Sequence, residues 1–181
     1  MNRLIPIFTI AAATLVAQQT RTEIVKASPN SADDSKPNSD KVPEAYAISG
    51  QFQRVVVLRF KFDTDLLAGM EKMVKQEKIK NGVILSGIGS VRGYHIHQVS
   101  NRTFPSKNIF VKDPTAHADI IGMNGYIIDG RIHPHMTLAD AEKSFGGHLE
   151  PDTKVFTFAI ITIGVLGDAT DLSRIDDKTY R

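Results

Sequence analysis

From residue 45 onward the apolar positions fall into short β-branched runs, with a single helical stretch among them. Arg54-Val-Val-Val-Leu-Arg-Phe60 is rich in β-branched residues and reads as a buried strand. After it, Asp63 or Thr64 caps a helix. Leu66, Leu67, Met70, Met73 and Val74 recur at 3.6-residue spacing, Glu71, Lys72, Lys75 and Gln76 lie opposite, and Asn81-Gly82 is a stop signal. Val83–Ser86 predicts the next strand, broken by a tight turn at Gly87-Ile88-Gly89. Tyr94–Val99 alternates as a strand, and Asp119–Met123 and Tyr126–Ile128 predict two more. Asp129-Gly130 is a hairpin signal leading into the strand of His133. Val155–Leu166 is apolar on both faces, the pattern of a central strand. Strands in this number against one clear helix predict an α+β domain with a mostly antiparallel sheet.

The N-terminus has a different pattern. Met1-Asn2-Arg3 is a short positive start, and Leu4–Ala17 is an apolar run interrupted only by Pro6, Thr9 and Thr14, the order of a secretory signal. It is too short to cross a bilayer, which takes about 20 residues. Residues 1–27 therefore read as a signal peptide cleaved after Ala17 or after Ala27, which implies a periplasmic or secreted mature chain without a transmembrane anchor. Residues 28–44 are polar and proline-rich and cannot offset the entropy of ordering, so they read as a disordered linker before a domain at 45–181.

Composition narrows the function. A chain of 181 residues with 41% hydrophobic content buries one core. The net charge of +2 and the lack of a Lys/Arg run argue against a polyanion footprint, so nucleic acid is not the expected partner. Lys75, Lys78 and Lys80 read as the solvated face of the helix. Cysteine is absent, which excludes disulfides and thiolate metal sites.

Histidine is the candidate chemistry. His133 and His135 flank Pro134, and in an extended strand they project from one side with Cβ atoms about 6 to 7 Å apart, a spacing that suits two ligands of one cation. Pro134 stiffens the step and, lacking an N–H, places the strand at an edge or leaves its middle without a ladder bond. Gly146-Gly147 would let a neighbouring turn bring His148 back toward the strand. Three neutral imidazoles suit zinc or a similar divalent metal and leave a coordination position open for a small-molecule ligand. His95 and His97 form a second H-x-H without a glycine-positioned third partner close in sequence. They read as pocket-lining or surface residues, as does His117.

The order of these pieces resembles the PPC domain, the plant and prokaryote conserved domain that accompanies AT-hook motifs in plant nuclear proteins. The likeness runs from Gln53 to Arg181 and rests on RVVVLRF, the helix start at Asp63-Thr64-Asp65-Leu66-Leu67, GVILSGIGSV, DIIGMNGYIIDG, HPHMTLAD, GGHLEPDTKVF and the closing Arg174–Tyr180 stretch. The resemblance implies an α/β fold assembled as a homotrimer and zinc held by three histidines, which by motif fall on His133, His135 and His148. The chain departs from the family at Ala116-His117-Ala118-Asp119-Ile120-Ile121, where a Gly-Arg-Phe-Glu-Ile-Leu type segment is common. It departs again at Ala159, where a glutamate is often seen, and it carries no AT-hook. Two functions follow as expectations: an exported trimeric zinc-binding module for a ligand or partner, or a zinc-dependent hydrolase or lyase on a small molecule. For the latter, Asp119, Asp140, Glu150, His95 and His97 are the groups that could move a proton.

Overall fold

The computed structural model describes residues 23–26 and 40–175. The apolar N-terminal run, most of the linker and the chain from residue 176 lie outside the described residues. The elements are β1 (Glu23–Lys26), β2 (Phe52–Lys61), α1 (Leu66–Gln76), β3 (Gly82–Val91), β4 (Tyr94–Val99), β5 (Asn108–Asp113), β6 (Ala118–Ile128), β7 (Arg131–Ala139), β8 (Ser144–Leu149) and β9 (Val155–Leu166). All the strands join one antiparallel sheet in the order β1-β5-β4-β8-β7-β6-β3-β9-β2. The α+β reading with one main helix holds.

Alternation along the strands sorts side chains onto two faces. Leu58 and Phe60 of β2, Ile84 of β3 and Ile161 and Ile163 of β9 form one buried cluster with Leu66, Met70 and Val74 of the helix. Each of these side chains contributes roughly 1.5–3 kcal/mol by leaving water. Asp65 is the helix N-cap, its Oδ1 accepting from Ala68 N–H at 3.1 Å. The expected cap at Asp63 or Thr64 is displaced because Asp63 sits at φ 65° in the preceding turn, outside the extended region a cap residue adopts. On the other face of the sheet Val55, Val57, Ile88, Phe156 and Phe158 stand exposed.

Three local expectations are corrected. Gly87-Ile88-Gly89 is not a turn but the second half of β3, which bulges between Gly89 and Val91 against β9. Gly89 takes φ 148° where a Cβ would strike the Phe158 carbonyl, so the pattern marks close approach of two strands. The two strands expected at 119–123 and 126–128 are one strand, β6, irregular between Ile120 and Gly122. Of the two positions allowed for Pro134 the interior one holds: it lies in β7, between β6 and β8, where it has no N–H to give the ladder, and facing it on β6 is Gly125 at φ 142°. Gly146 and Gly147 form no turn either: both belong to β8, hemmed by the Met136 carbonyl on one side and the His97 carbonyl on the other.

Candidate metal centre

Register builds the site. In antiparallel pairs, directly opposed residues put their side chains on the same face, about 4.5–5.5 Å apart at Cβ. His135 of β7 opposes His148 of β8, and His148 opposes His97 of β4. The row continues to Asn124 of β6 on one flank and Phe110 of β5 on the other. His133 lies one pleat along β7 from His135, on the same exposed side, while Pro134, Met136 and Leu138 between and beyond them are buried. Four histidines from three adjacent strands thus meet on the face away from α1.

The rings are in mutual contact. The Nε2 atoms of His133 and His135 are 3.2 Å apart. The His148 ring stands edge-on to both, its centroid 4.7 Å from that of His133 and 5.5 Å from that of His135. The His97 ring stacks on His148 at 4.6 Å with an interplanar angle of 23°. Glu150 joins this group from the end of β8. Its Oε1 accepts from His97 Nδ1 at 2.5 Å and from His148 Nδ1 at 3.2 Å. The ligand atoms of His97, His148 and Glu150 lie within 4.8 Å of one another, a second grouping that shares His148 with the first.

The His133–His135 pair fits a borderline divalent cation. Two Zn–N bonds of about 2.0–2.1 Å at a tetrahedral angle place the nitrogens roughly 3.3–3.4 Å apart, close to the separation of the His133 and His135 Nε2 atoms. Electrostatics favour a neutral His135 imidazole, ready to ligate: partial burial of the ring, with His148 and His97 beside it, lowers its pKa. Burial alone would raise the Glu150 carboxyl, but the hydrogen bonds from His148 and His97 and their charges outweigh it and bring it down to about 2.

The three histidines singled out in the sequence come together, and two further residues join them. The sequence marks His97 as a pocket-lining or surface residue and names it and Glu150 only among five groups that could move a proton. Alternation in Tyr94–Val99 puts His97 on one face, but only the pairing of β4 with β8, some fifty residues later in the chain, brings it to His148. The other candidates have different partners. His95 Nδ1 meets the Pro151 carbonyl at 2.9 Å, Asp140 Oδ1 accepts from Glu142 and Lys143 N–H in the turn before β8, and Asp119 is exposed at the far end of β6 opposite Ala139. A cavity of about 830 Å³ opens beside His133 and His135, walled by Tyr46, Tyr126, Ile132 and Ile175.

Among the described residues, a nine-stranded antiparallel sheet with one covering helix and a histidine cluster on its open face defines a small α+β domain with a metal-capable centre. The model of the Plants and Prokaryotes Conserved (PCC) domain matches residues 47–167, and the chain belongs to that family. Solved structures share the fold. A metal-containing protein from Archaeoglobus fulgidus superposes with a TM-score of 0.59 at 19% identity, over 70% of this chain and 88% of that one. A plant- and prokaryote-conserved protein from Pyrococcus horikoshii superposes with a TM-score of 0.56 at 24% identity, over 70% and 87%. The bifunctional protein GlmU of a Synechococcus strain is 27% identical over 111 residues, 61% of this chain but only 17% of that much longer protein.

Proposed function

We propose that this protein is an exported, homotrimeric PCC-domain protein that holds one divalent metal per chain, zinc in the first instance, through His133, His135 and His148. The observation that carries the reading is the 3.2 Å approach of two Nε2 atoms with the His148 ring edge-on to both. The metal-containing relative of the same fold from Archaeoglobus fulgidus lends it weight. Trimer formation takes its support from the uncovered face of β2, β3 and β9. Val57 is 63% exposed and Ile88 53%, with Phe156 and Phe158 beside them. Export rests on the charge-then-apolar order of residues 1–17. Cleavage after Ala17 would keep Glu23–Lys26, which pairs with β5 as β1, whereas cleavage after Ala27 would remove it.

The test is elemental analysis of the purified chain beside a His133→Ala/His148→Ala double variant, with molar mass by light scattering in the same run. About one zinc per chain in the wild type, none in the variant and the mass of a trimer in both are expected. No metal after zinc loading would refute the metal reading, and a monomer at micromolar concentration would refute the assembly.

A second reading, a zinc-dependent hydrolase or lyase, is favoured by the cavity beside His133 and His135, whose size falls in the range of small-molecule sites. A bound zinc would supply a Lewis acid and an acidified water at the position that three protein ligands leave open. Of the candidate proton carriers, Glu150 and His97 touch the cluster. Turnover of hydrolase or lyase substrates that is lost on chelation and in His133→Ala is the expected signature. A blank at high protein concentration would exclude it and leave a binding module.

A further inference from the structure

We propose that Glu150 is the positioning carboxylate of the histidine cluster: it fixes the tautomers of His148 and His97 together, so that His148 offers Nε2 to the cation held by His133 and His135. The geometry leaves little choice. A neutral imidazole has one N–H and one lone pair, and an ionised carboxylate only accepts. With Glu150 Oε1 at 3.2 Å from His148 Nδ1 and 2.5 Å from His97 Nδ1, both rings carry their proton on Nδ1 and leave Nε2 bare. Without that acceptor, the Nε2–H tautomer of His148 would compete and put a proton where the metal must bind. Orientation of a metal-ligating imidazole by an outer carboxylate is a recurrent device, and here one oxygen orients two rings.

Glu150 is itself held. Its backbone N–H donates to the His95 carbonyl at 3.0 Å, which ties the end of β8 to β4, and Pro151 after it confines its backbone to extended geometry. His97 lies between two rings, stacked on His148 at 4.6 Å and against Phe110 at 5.1 Å, so neither of Glu150's partners turns freely.

The competing assignment makes His97, His148 and Glu150 a cation cage of their own. Two donors 2.5 Å apart would subtend only about 75° at a zinc with bonds near 2.05 Å, far from tetrahedral. That separation belongs to a hydrogen bond.

The consequence for zinc rests on the metal reading above, whereas the tautomer does not, and the experiment keeps them apart. Long-range ¹H–¹⁵N spectra of the labelled, chelator-treated full chain at pH 8 report which nitrogen of each ring is protonated. His148 and His97 are expected as Nδ1–H tautomers in the wild type, with Nε2–H appearing at His148 in Glu150→Ala. Glu150→Gln, whose carbonyl still accepts an N–H, should retain the Nδ1–H form of at least one ring. By chelator competition Glu150→Ala should weaken zinc about 10- to 100-fold. Glu150→Gln should weaken it less, as should His97→Phe, which keeps a ring on His148. An Nε2–H tautomer at His148 in the wild type, or no tautomer change in Glu150→Ala, would overturn the proposal. So would zinc loss in His97→Phe as complete as in His133→Ala, which would make His97 a ligand. If the wild type binds no zinc, the metal reading falls and the spectra alone decide whether Glu150 orients the rings.

Discussion

The two faces of the same sheet are built from the same strands by opposite chemistry. On the covered face, Leu58, Ile84, Ile161 and Ile163 pack against Leu66, Met70 and Val74 of α1, and what holds them is area removed from water. On the open face the half made by β4, β8 and β7 carries His97, His148, His135 and His133, held by register and by the Glu150 carboxylate. Strand β7 serves both: Pro134, Met136 and Leu138 point into the core and His133 and His135 away from it. Residues one apart in sequence therefore answer to different forces. Damage to one face should unfold the chain, and damage to the other should disarm it while it stays folded.

The largest effect expected is on the covered face. Leu66→Ala removes a fully buried side chain at the helix–sheet contact and should cost about 2–5 kcal/mol in urea unfolding. A cost under 1 kcal/mol would mean that α1 packs less tightly than its burial indicates. Next comes a substitution that joins the two faces. Gly147→Ala places a methyl against the His97 carbonyl, so β4 and β8 must part, at about 1–3 kcal/mol. Because His97 and His148 oppose each other there, zinc uptake should fall with it; full uptake and unchanged stability would show that the close strand approach has no role in the centre.

Acid should separate the faces further. Glu150 is held at about 2 against roughly 4.3 for an unfolded glutamate, so its contribution is present above about pH 5 and is lost as pH falls toward 2. His135, lowered from its ordinary value, resists a proton that the unfolded chain accepts below about pH 6.5, and this too removes stability on acidification. Thermal melts of chelator-treated protein from pH 8 to pH 3 should show a steeper decline in the wild type than in Glu150→Gln below pH 5. Parallel curves would contradict the assignment. Zinc itself should be lost progressively in acid, because an imidazole must be neutral to ligate and its ordinary value is about 6.5, and full metal content at pH 4 would contradict ligation by three histidines.

The smallest effect on stability is expected from the apolar half of the open face. Phe158→Lys changes an exposed residue and should alter chain stability by only about 0.5 kcal/mol. Its readout is assembly: a folded monomer by light scattering is expected, and an intact trimer would place the interface elsewhere.

Local pattern alone was enough for the α+β class, the existence and buried face of the one helix though not its ends, the strands Tyr94–Val99 and Val155–Leu166, the Asp129-Gly130 hairpin, and the pairing of His133 with His135 on one side of a strand. These are short-range properties, set by a side-chain period of 2.0 or 3.6 and by turn residues that tolerate positive φ. The glycines misled because the same residue serves two needs. At Gly87-Ile88-Gly89 and Gly146-Gly147 what was read as freedom to turn is room for a neighbouring strand, and that neighbour is invisible in the local sequence. The same limit hid His97 and the part of Glu150. Which strand lies beside which is decided by hydrogen bonds between segments fifty residues apart, and only the placement of β4 next to β8 turned a lone H-x-H and one carboxylate among several into members of the centre.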